Sequence, residues 1–385
     1  MRRIAVGQAG GPTAVINTSL VGLIDALYGQ VDIYTVWNGY QGLVDNDMEL
    51  LDESLFDWIK KHEHVPGACL GSGRYPFTPE LMERAVLQLK QRDIHSLIFI
   101  GGNGTMTALH LMSEMANAMQ YELQVIGIPK TVDNDLACTD HAPGFASAAR
   151  YVALTARDIS KDLEAMRNFE QVRIIETMGR HTGWLALSSG FLKASEDMGP
   201  HHIYLPERPI EAGTFLMDVQ QSVQAVGMAT IVVSEGFTFI GEDLVEREVV
   251  NGRSVLGGIA AQMEQLTRER LGYTVRSENM GMHQRSANCA VSAQDRIEAY
   301  ETGQKAATFL LSGKSNVMVS IQRLLGKGYT YVLEERMLGD IAEYGERSLP
   351  DSFISNPAQF YTWLAPIIGD PIVDYPSMRK RSNVC

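Results

Sequence analysis

Cysteine is scarce in this 385-residue chain: Cys69, Cys138, Cys289 and Cys385 are scattered and none falls in a Cys-x-x-Cys spacing. That pattern excludes a disulfide framework and a cysteine-based zinc site. No window approaches the ~18 consecutive apolar residues of a membrane-spanning helix. The opening Met1-Arg2-Arg3-Ile4-Ala5-Val6-Gly7 has no apolar signal-peptide core, and a cytoplasmic location is expected. Positive charge is in deficit, with 33 Lys and Arg against 46 Asp and Glu for a formal net charge of −13. A chain of that sign offers neither a nucleic-acid surface nor strong attraction to anionic lipid. An anionic substrate must therefore meet a local arginine cluster. Low-complexity segments, short-period repeats and a dividing Pro/Gly-rich linker are absent too.

What is present is alternation. Strand-like runs at Ile4 to Val6, Val31 to Val36, Leu97 to Ile100, Val125 to Ile128, Val172 to Glu176, Ile203 to Leu205 and Thr230 to Ser234 are separated by helical patterns. This reads as βαβ units in a mainly parallel, doubly wound sheet. The length suits two α/β domains with full cores. Without a linker, the two are expected to exchange segments.

Two turns carry the chemistry. Pro129-Lys130-Thr131-Val132-Asp133-Asn134-Asp135 puts two carboxylates two positions apart directly after a buried-strand pattern. In open α/β sheets the loops leaving the carboxyl ends of strands hold the ligand. Just upstream, the run to Ile100 breaks into Gly101-Gly102-Asn103-Gly104-Thr105, with a helix expected to begin near Thr105. Glycines let backbone approach a polyanion closely, and a helix start aims free N–H groups and a positive dipole end at it. Asp133 and Asp135 divide between a general base and a metal-side role. Further turns follow other strands: Gly10-Gly11-Pro12-Thr13, Asn38-Gly39-Tyr40, Met178-Gly179-Arg180 and Ser234-Glu235-Gly236. Arg157 and Lys161 read as charges on a helix surface.

Together with Gly71-Ser72-Gly73-Arg74 and Gly281-Met282-His283-Gln284-Arg285, these turns resemble the ordered motif set of the phosphofructokinase family from the first strand to about residue 310. The resemblance implies two Rossmann-like doubly wound domains. One, for the phosphoryl donor, would take residues 1–144 and about 284–335; the other, for the sugar phosphate, 145–283 and about 336–385. The implied reaction moves the terminal phosphoryl of ATP, with Mg²⁺, to the 1-hydroxyl of fructose 6-phosphate or a close relative. Asp133 is then the base, with Thr131, Asp135 and Lys130 beside it. Gly11, Tyr40, Arg74, Gly102, Asn103, Gly104 and Thr105 bind the donor, and Asn103 and Asp135 stand on the metal side. Arg173, Met178, Gly179, Arg180, Glu235, Arg276 and Arg285 bind the sugar phosphate, Arg173 and Arg276 from a neighbouring subunit of a homodimer or homotetramer.

The chain departs from the family at two positions. ATP users carry Asp where Asn103 stands, and a histidine or tyrosine that touches the sugar phosphate is replaced by Met282. Gly104 points to ATP, because a pyrophosphate-using site resembles one with Asp there, whereas Asn103 and the opening Gly-Gly-Pro-Thr look more like the pyrophosphate branch. A pyrophosphate-dependent enzyme and a weakened sugar-phosphate sensor are the alternatives. Residues from about 340 onward, including Trp363 and Arg379-Lys380-Arg381, carry no readable motif.

Overall fold

Each expected strand-like run coincides with a strand in the computed structural model, which describes residues 1–73, 75–250 and 253–376. Among the described residues the strands are β1 (Arg3–Gln8), β2 (Asp32–Val36), β3 (Met48–Leu50), β4 (Ser96–Gly101), β5 (Gln124–Pro129), β6 (Val172–Thr177), β7 (His202–Tyr204), β8 (Ala229–Ser234), β9 (Glu246–Val250), β10 (Arg253–Leu256), β11 (Val275–Asn279), β12 (Val317–Arg323) and β13 (Tyr331–Met337). The chain divides into two units, the first formed by Met1–Ser147, Arg285–Arg347 and Pro366–Gly369, the second by Ala148–Gln284, Ser348–Ala365 and the chain from Asp370.

In the first unit a seven-stranded sheet runs β13-β12-β5-β4-β1-β2-β3. Its five central strands are parallel, and β13 and β3 close the edges in antiparallel fashion. Alternate residues of the buried strands face opposite layers, as strand geometry requires. Leu97 and Phe99 join Met106, Leu109 and Met112 of helix Asn103–Ala118. Ile98 and Ile100 join Leu20, Leu23 and Ile24 of helix Ile16–Leu27 and Phe309 of helix Ala293–Leu311. Those two helices cross at glycines: a Cβ on Gly22 would lie 2.1 Å from the Tyr300 carbonyl oxygen, and one on Gly303 2.1 Å from that of Ser19.

The second unit is built on a four-stranded, all-parallel sheet, β11-β6-β8-β7, with a separate β9–β10 hairpin. Ile174, Ile231 and Val233 pack with Phe215, Phe237, Phe239 and Met263. Trp363, unreadable in the sequence, lies in an aromatic cluster, its ring centroid 5.4 Å from Trp184 and 5.7 Å from both Phe353 and Phe360.

The division differs from the expected one after residue 335. Residues 336–347 belong to the first unit because β13 pairs with β12 through Met337 and the following helix, Leu338–Tyr344, buries Leu338 and Ile341 in the core containing Met106. No described helix is long and apolar enough to cross a membrane.

Candidate active site

In the first unit the two chemical turns are laced together by main chain. β4 ends at Gly101, whose carbonyl accepts the Lys130 N–H at 3.0 Å. A Cβ on Gly101 would sit 2.1 Å from the Thr105 hydroxyl, so only glycine fits this close approach. The helix begins at Asn103, two residues before the expected start, with Gly102 as its N-cap and no capping side chain. Its first N–H groups form an anion-favouring end. Gly104 is exposed, and a Cβ there would meet no heavy atom within 4 Å.

β5 delivers the carboxylate turn. Lys130 is buried and its ammonium donates to the Gly11 carbonyl at 2.7 Å, tying this turn to the one after β1. The Thr131 hydroxyl accepts the Asp133 N–H at 3.1 Å and donates to Asp135 Oδ1 at 3.0 Å. Asn134 adopts φ +52°, a conformation asparagine tolerates, and its Oδ1 accepts the Ala142 N–H at 3.1 Å. The turn therefore holds Asp133 and Asp135 by local hydrogen bonds. Asn103 Nδ2 donates to the Asp135 carbonyl at 2.9 Å, which leaves Asn103 Oδ1 as a buried acceptor with no protein partner. Arg285 lies in this unit, its Nη1 2.8 Å from where a Gly11 Cβ would be.

Tyr40, expected at the donor, opens the short helix after β2 and is half-buried. Its ring stacks on Phe77 at 4.6 Å and on Phe99 at 5.0 Å, and burial pushes its phenol well above the ordinary range. The half-buried ring thus packs against the core that contains Phe99. Arg74 lies outside the described residues.

In the second unit the turns after β6, β8 and β11 converge. Gly179 has φ +130°, and a Cβ would strike the Thr182 carbonyl at 2.4 Å and the Ser234 hydroxyl at 2.5 Å. Its carbonyl accepts the Ser234 hydroxyl at 2.5 Å and the Gly236 N–H at 3.2 Å, bringing Met178, Gly179 and Arg180 beside Glu235. Buried Gln284 accepts the Met178 N–H at 2.9 Å and donates to the Gly281 carbonyl at 3.0 Å. Sequence reasoning gave Gln284, Ser234 and Asn134 no role. Their partners are backbone groups set by the fold, which residue type alone does not announce.

Arg173 corrects an expectation. It is buried one residue into β6, with Nε 2.6 Å from Glu170, Nη1 2.6 Å from Glu278 and Nη2 3.5 Å from Asp162. Three carboxylates already neutralise this guanidinium, so it serves as an internal ion-pair centre rather than as a ligand for an incoming anion. Arg276, opposite it across β6 and β11, is 60% exposed and touches Glu170 at 3.1 Å through Nε.

The family model for phosphofructokinase matches residues 3–310. A protein named sulfofructose kinase from Alkalicoccus urumqiensis is 45% identical over 99% of this chain and 100% of its own length. A pyrophosphate–fructose 6-phosphate 1-phosphotransferase from Rhodospirillum rubrum is 34% identical over 99% of this chain and 97% of that protein. The crystal structure of a pyrophosphate-dependent phosphofructokinase from Marinobacter aquaeolei superposes with a TM-score of 0.85 at 32% identity, covering 97% of this chain and 94% of that one. The turns that follow the parallel strands are thus those of a family whose members move phosphoryl groups, and this chain belongs to the phosphofructokinase family as a phosphotransferase acting on a hydroxyl group.

Proposed function

We propose that this enzyme uses ATP to phosphorylate the 1-hydroxyl of a fructose whose C6 carries an anionic group, and that the group is the sulfonate of sulfofructose. The observation that carries this reading is the 45% identity, end to end, with a protein named sulfofructose kinase, against 34% with the pyrophosphate-dependent relative. Met282 supports it. A thioether at the position where family members place a histidine or tyrosine offers no N–H or O–H donor to a phosphate dianion, and a sulfonate carries one charge fewer. The acceptor first expected, fructose 6-phosphate, becomes the competing substrate.

Asp133 accepts the proton of the attacking 1-hydroxyl and later returns it to solvent. Lys130 and the N-terminal N–H groups of helix Asn103–Ala118 offset negative charge on the transferring and departing phosphates. Mg²⁺ would supply further neutralisation of the donor phosphates. Asn103 Oδ1, a buried acceptor lacking a protein partner, and the Asp135 carboxylate would hold it. No cluster of three or more His, Cys, Asp or Glu side chains suited to a metal occurs among the described residues. Magnesium needs none, since it keeps waters and binds through one or two carboxylates plus substrate phosphates. The open space at Gly104 leaves room for an α-phosphate. Met178, Gly179, Arg180 and Glu235 of the second unit would hold the acceptor, with Arg276 from a neighbouring copy in a shared-site homo-oligomer.

Pyrophosphate is the second reading for the donor, favoured by the Rhodospirillum and Marinobacter relatives. Measuring kcat/KM for ATP and pyrophosphate, each with sulfofructose and with fructose 6-phosphate, tests both halves. ATP with sulfofructose is expected to be the best of the four pairs. A higher value with pyrophosphate overturns the donor, and a higher value with fructose 6-phosphate overturns the acceptor.

A further inference from the structure

The carboxylate turn is held from behind by a segment of the chain far along in sequence. After helix Leu338–Tyr344 the backbone turns at Gly345, φ +67°, and Glu346 forms an antiparallel bridge with Leu136. The next N–H, that of Arg347, donates to the Asp135 carbonyl at 2.7 Å. The Arg347 side chain folds back along the same stretch, and its Nη1 donates to the Asp140 carbonyl at 2.9 Å and to the Thr139 carbonyl. One residue thus fastens both limbs of the loop 135–140.

That loop needs fastening. Asn134 and Cys138 both adopt left-handed backbone conformations, at φ +52° and +62°. For a cysteine this is a strained state, kept only when the surroundings over-determine it. The Asp135 carbonyl, moreover, receives the Arg347 N–H on one side and Asn103 Nδ2 on the other. With Nδ2 so committed, the direction of Asn103 Oδ1 follows from the position of that carbonyl.

We infer that Arg347 is a positioning residue for phosphoryl transfer, clasping the turn so that Asp133, Asp135 and the Asn103 amide keep their working geometry. It acts through Asp135 and the 139–140 backbone. The guanidinium is largely buried, and burial lowers its pKa to about 10 even though Asp140 and Asp135 oppose the shift. A buried cation is the strongest donor available for backbone carbonyls, and it biases the turn toward anions. The inference rests on the reading that this turn carries the transfer.

The test is steady-state kinetics of the full chain with Arg347→Met and Arg347→Lys, with thermal melts to verify folding. Displacing a reacting group by about 1 Å costs on the order of 10² in rate. Arg347→Met should therefore lose roughly 10- to 100-fold in kcat while both KM values stay within about threefold, and Arg347→Lys should recover most of the loss. A folded Arg347→Met with kcat within about twofold of the parent overturns the inference, as does a loss that lysine fails to rescue. Should Arg347→Met not fold, Arg347→Gln takes its place, since it too removes the cation: the same loss in kcat at constant KM supports the clasp, and a kcat within about twofold of the parent overturns it. Asp133→Asn, run alongside, separates the two failures. Full turnover there overturns the reading of the turn, whereas loss there without loss at Arg347→Met overturns only the clasp.

Discussion

Charged residues follow or interrupt a parallel strand in both units, yet they end in opposite roles. Lys130, Asp133 and Asp135 lie just beyond the carboxyl end of β5, where backbone N–H groups and a neighbouring glycine turn meet them. Arg173 lies one residue into β6, five residues before Met178, or about 16 Å at ~3.3 Å per residue. There Glu170, Glu278 and Asp162 surround it. Residue type is a poor guide by itself. Position along the strand decides whether a charge is offered to a ligand or cancelled within the fold.

The comparison breaks if the turn after β5 proves passive. Asp133→Asn should reduce kcat by ~10²–10⁴ with acceptor affinity nearly unchanged, because a base acts in the transition state. Steady-state kinetics with calorimetric binding checks this, and a loss under about tenfold would falsify the assignment.

Gly104 probes the same end of the molecule from the donor side. An aspartate there meets no atom on folding and sits in the first turn of a helix, where a negative charge is mildly stabilising. Gly104→Asp should therefore keep or slightly raise the melting temperature while removing ATP use by at least ~10², through bulk and like-charge repulsion of the α-phosphate. Retained ATP turnover in a folded variant would mean that the donor does not pass this position.

The second unit supplies the contrast. Arg276→Ala should weaken acceptor binding by about 1.5–3 kcal/mol, the worth of a charge-assisted contact, with little change in melting temperature. Arg173→Met should do the reverse, costing about 1.5–3 kcal/mol of stability through its lost charge-assisted bonds, because buried Glu170 then keeps only its contact with Arg276, while acceptor affinity in the folded fraction holds. Equal effects on binding from both substitutions would erase the distinction. Mixing Arg276→Ala with Asp133→Asn subunits should also restore some activity if sites are shared.

Much of this was legible beforehand, and the reasons are physical. Buried parallel strands announce themselves as short apolar runs, so the sheet centres were readable. The turns after them were readable because glycine and paired carboxylates are rarely placed together without purpose. The edges were not. β12 and β13 alternate or end in charge, and β13 pairs only on one side, so the passage of residues 336–347 into the first unit left no apolar signature. Charges were ambiguous in both directions. Arg173 was expected to bind substrate and is internally neutralised, while Arg157 was expected on a helix surface and is buried, with Nη1 2.6 Å from the Val373 carbonyl and its guanidinium 3.8 Å from the Tyr375 ring centroid. Such partners lie more than 200 residues away, 216 for Val373, beyond any local pattern.

His141 offers the smallest effect and the cleanest control, since it is a buried charge cluster close in sequence to the catalytic turn. The imidazole is fully buried, with Nδ1 2.8 Å from Asp140 and Nε2 2.6 Å from Glu298. Arg323 and Tyr329 flank the same carboxylates. Burial alone would lower its pKa, but Glu298 and Asp140 more than reverse that and raise it to about 9. A histidine raised in the folded state contributes stability that is fully present below the unfolded value of about 6.5 and is lost as pH climbs through the folded value. The melting temperature should therefore fall by a few degrees between about pH 7 and pH 9.5, corresponding to about 1–3 kcal/mol. In His141→Gln the parent should lose its advantage over the variant across that window. Because the cluster carries no reacting group, kcat at pH 7 should change far less than in Asp133→Asn. A flat stability difference from pH 6 to 10 would show that the imidazole is neutral throughout, and a collapse of kcat at full stability would move His141 from the scaffold to the reaction.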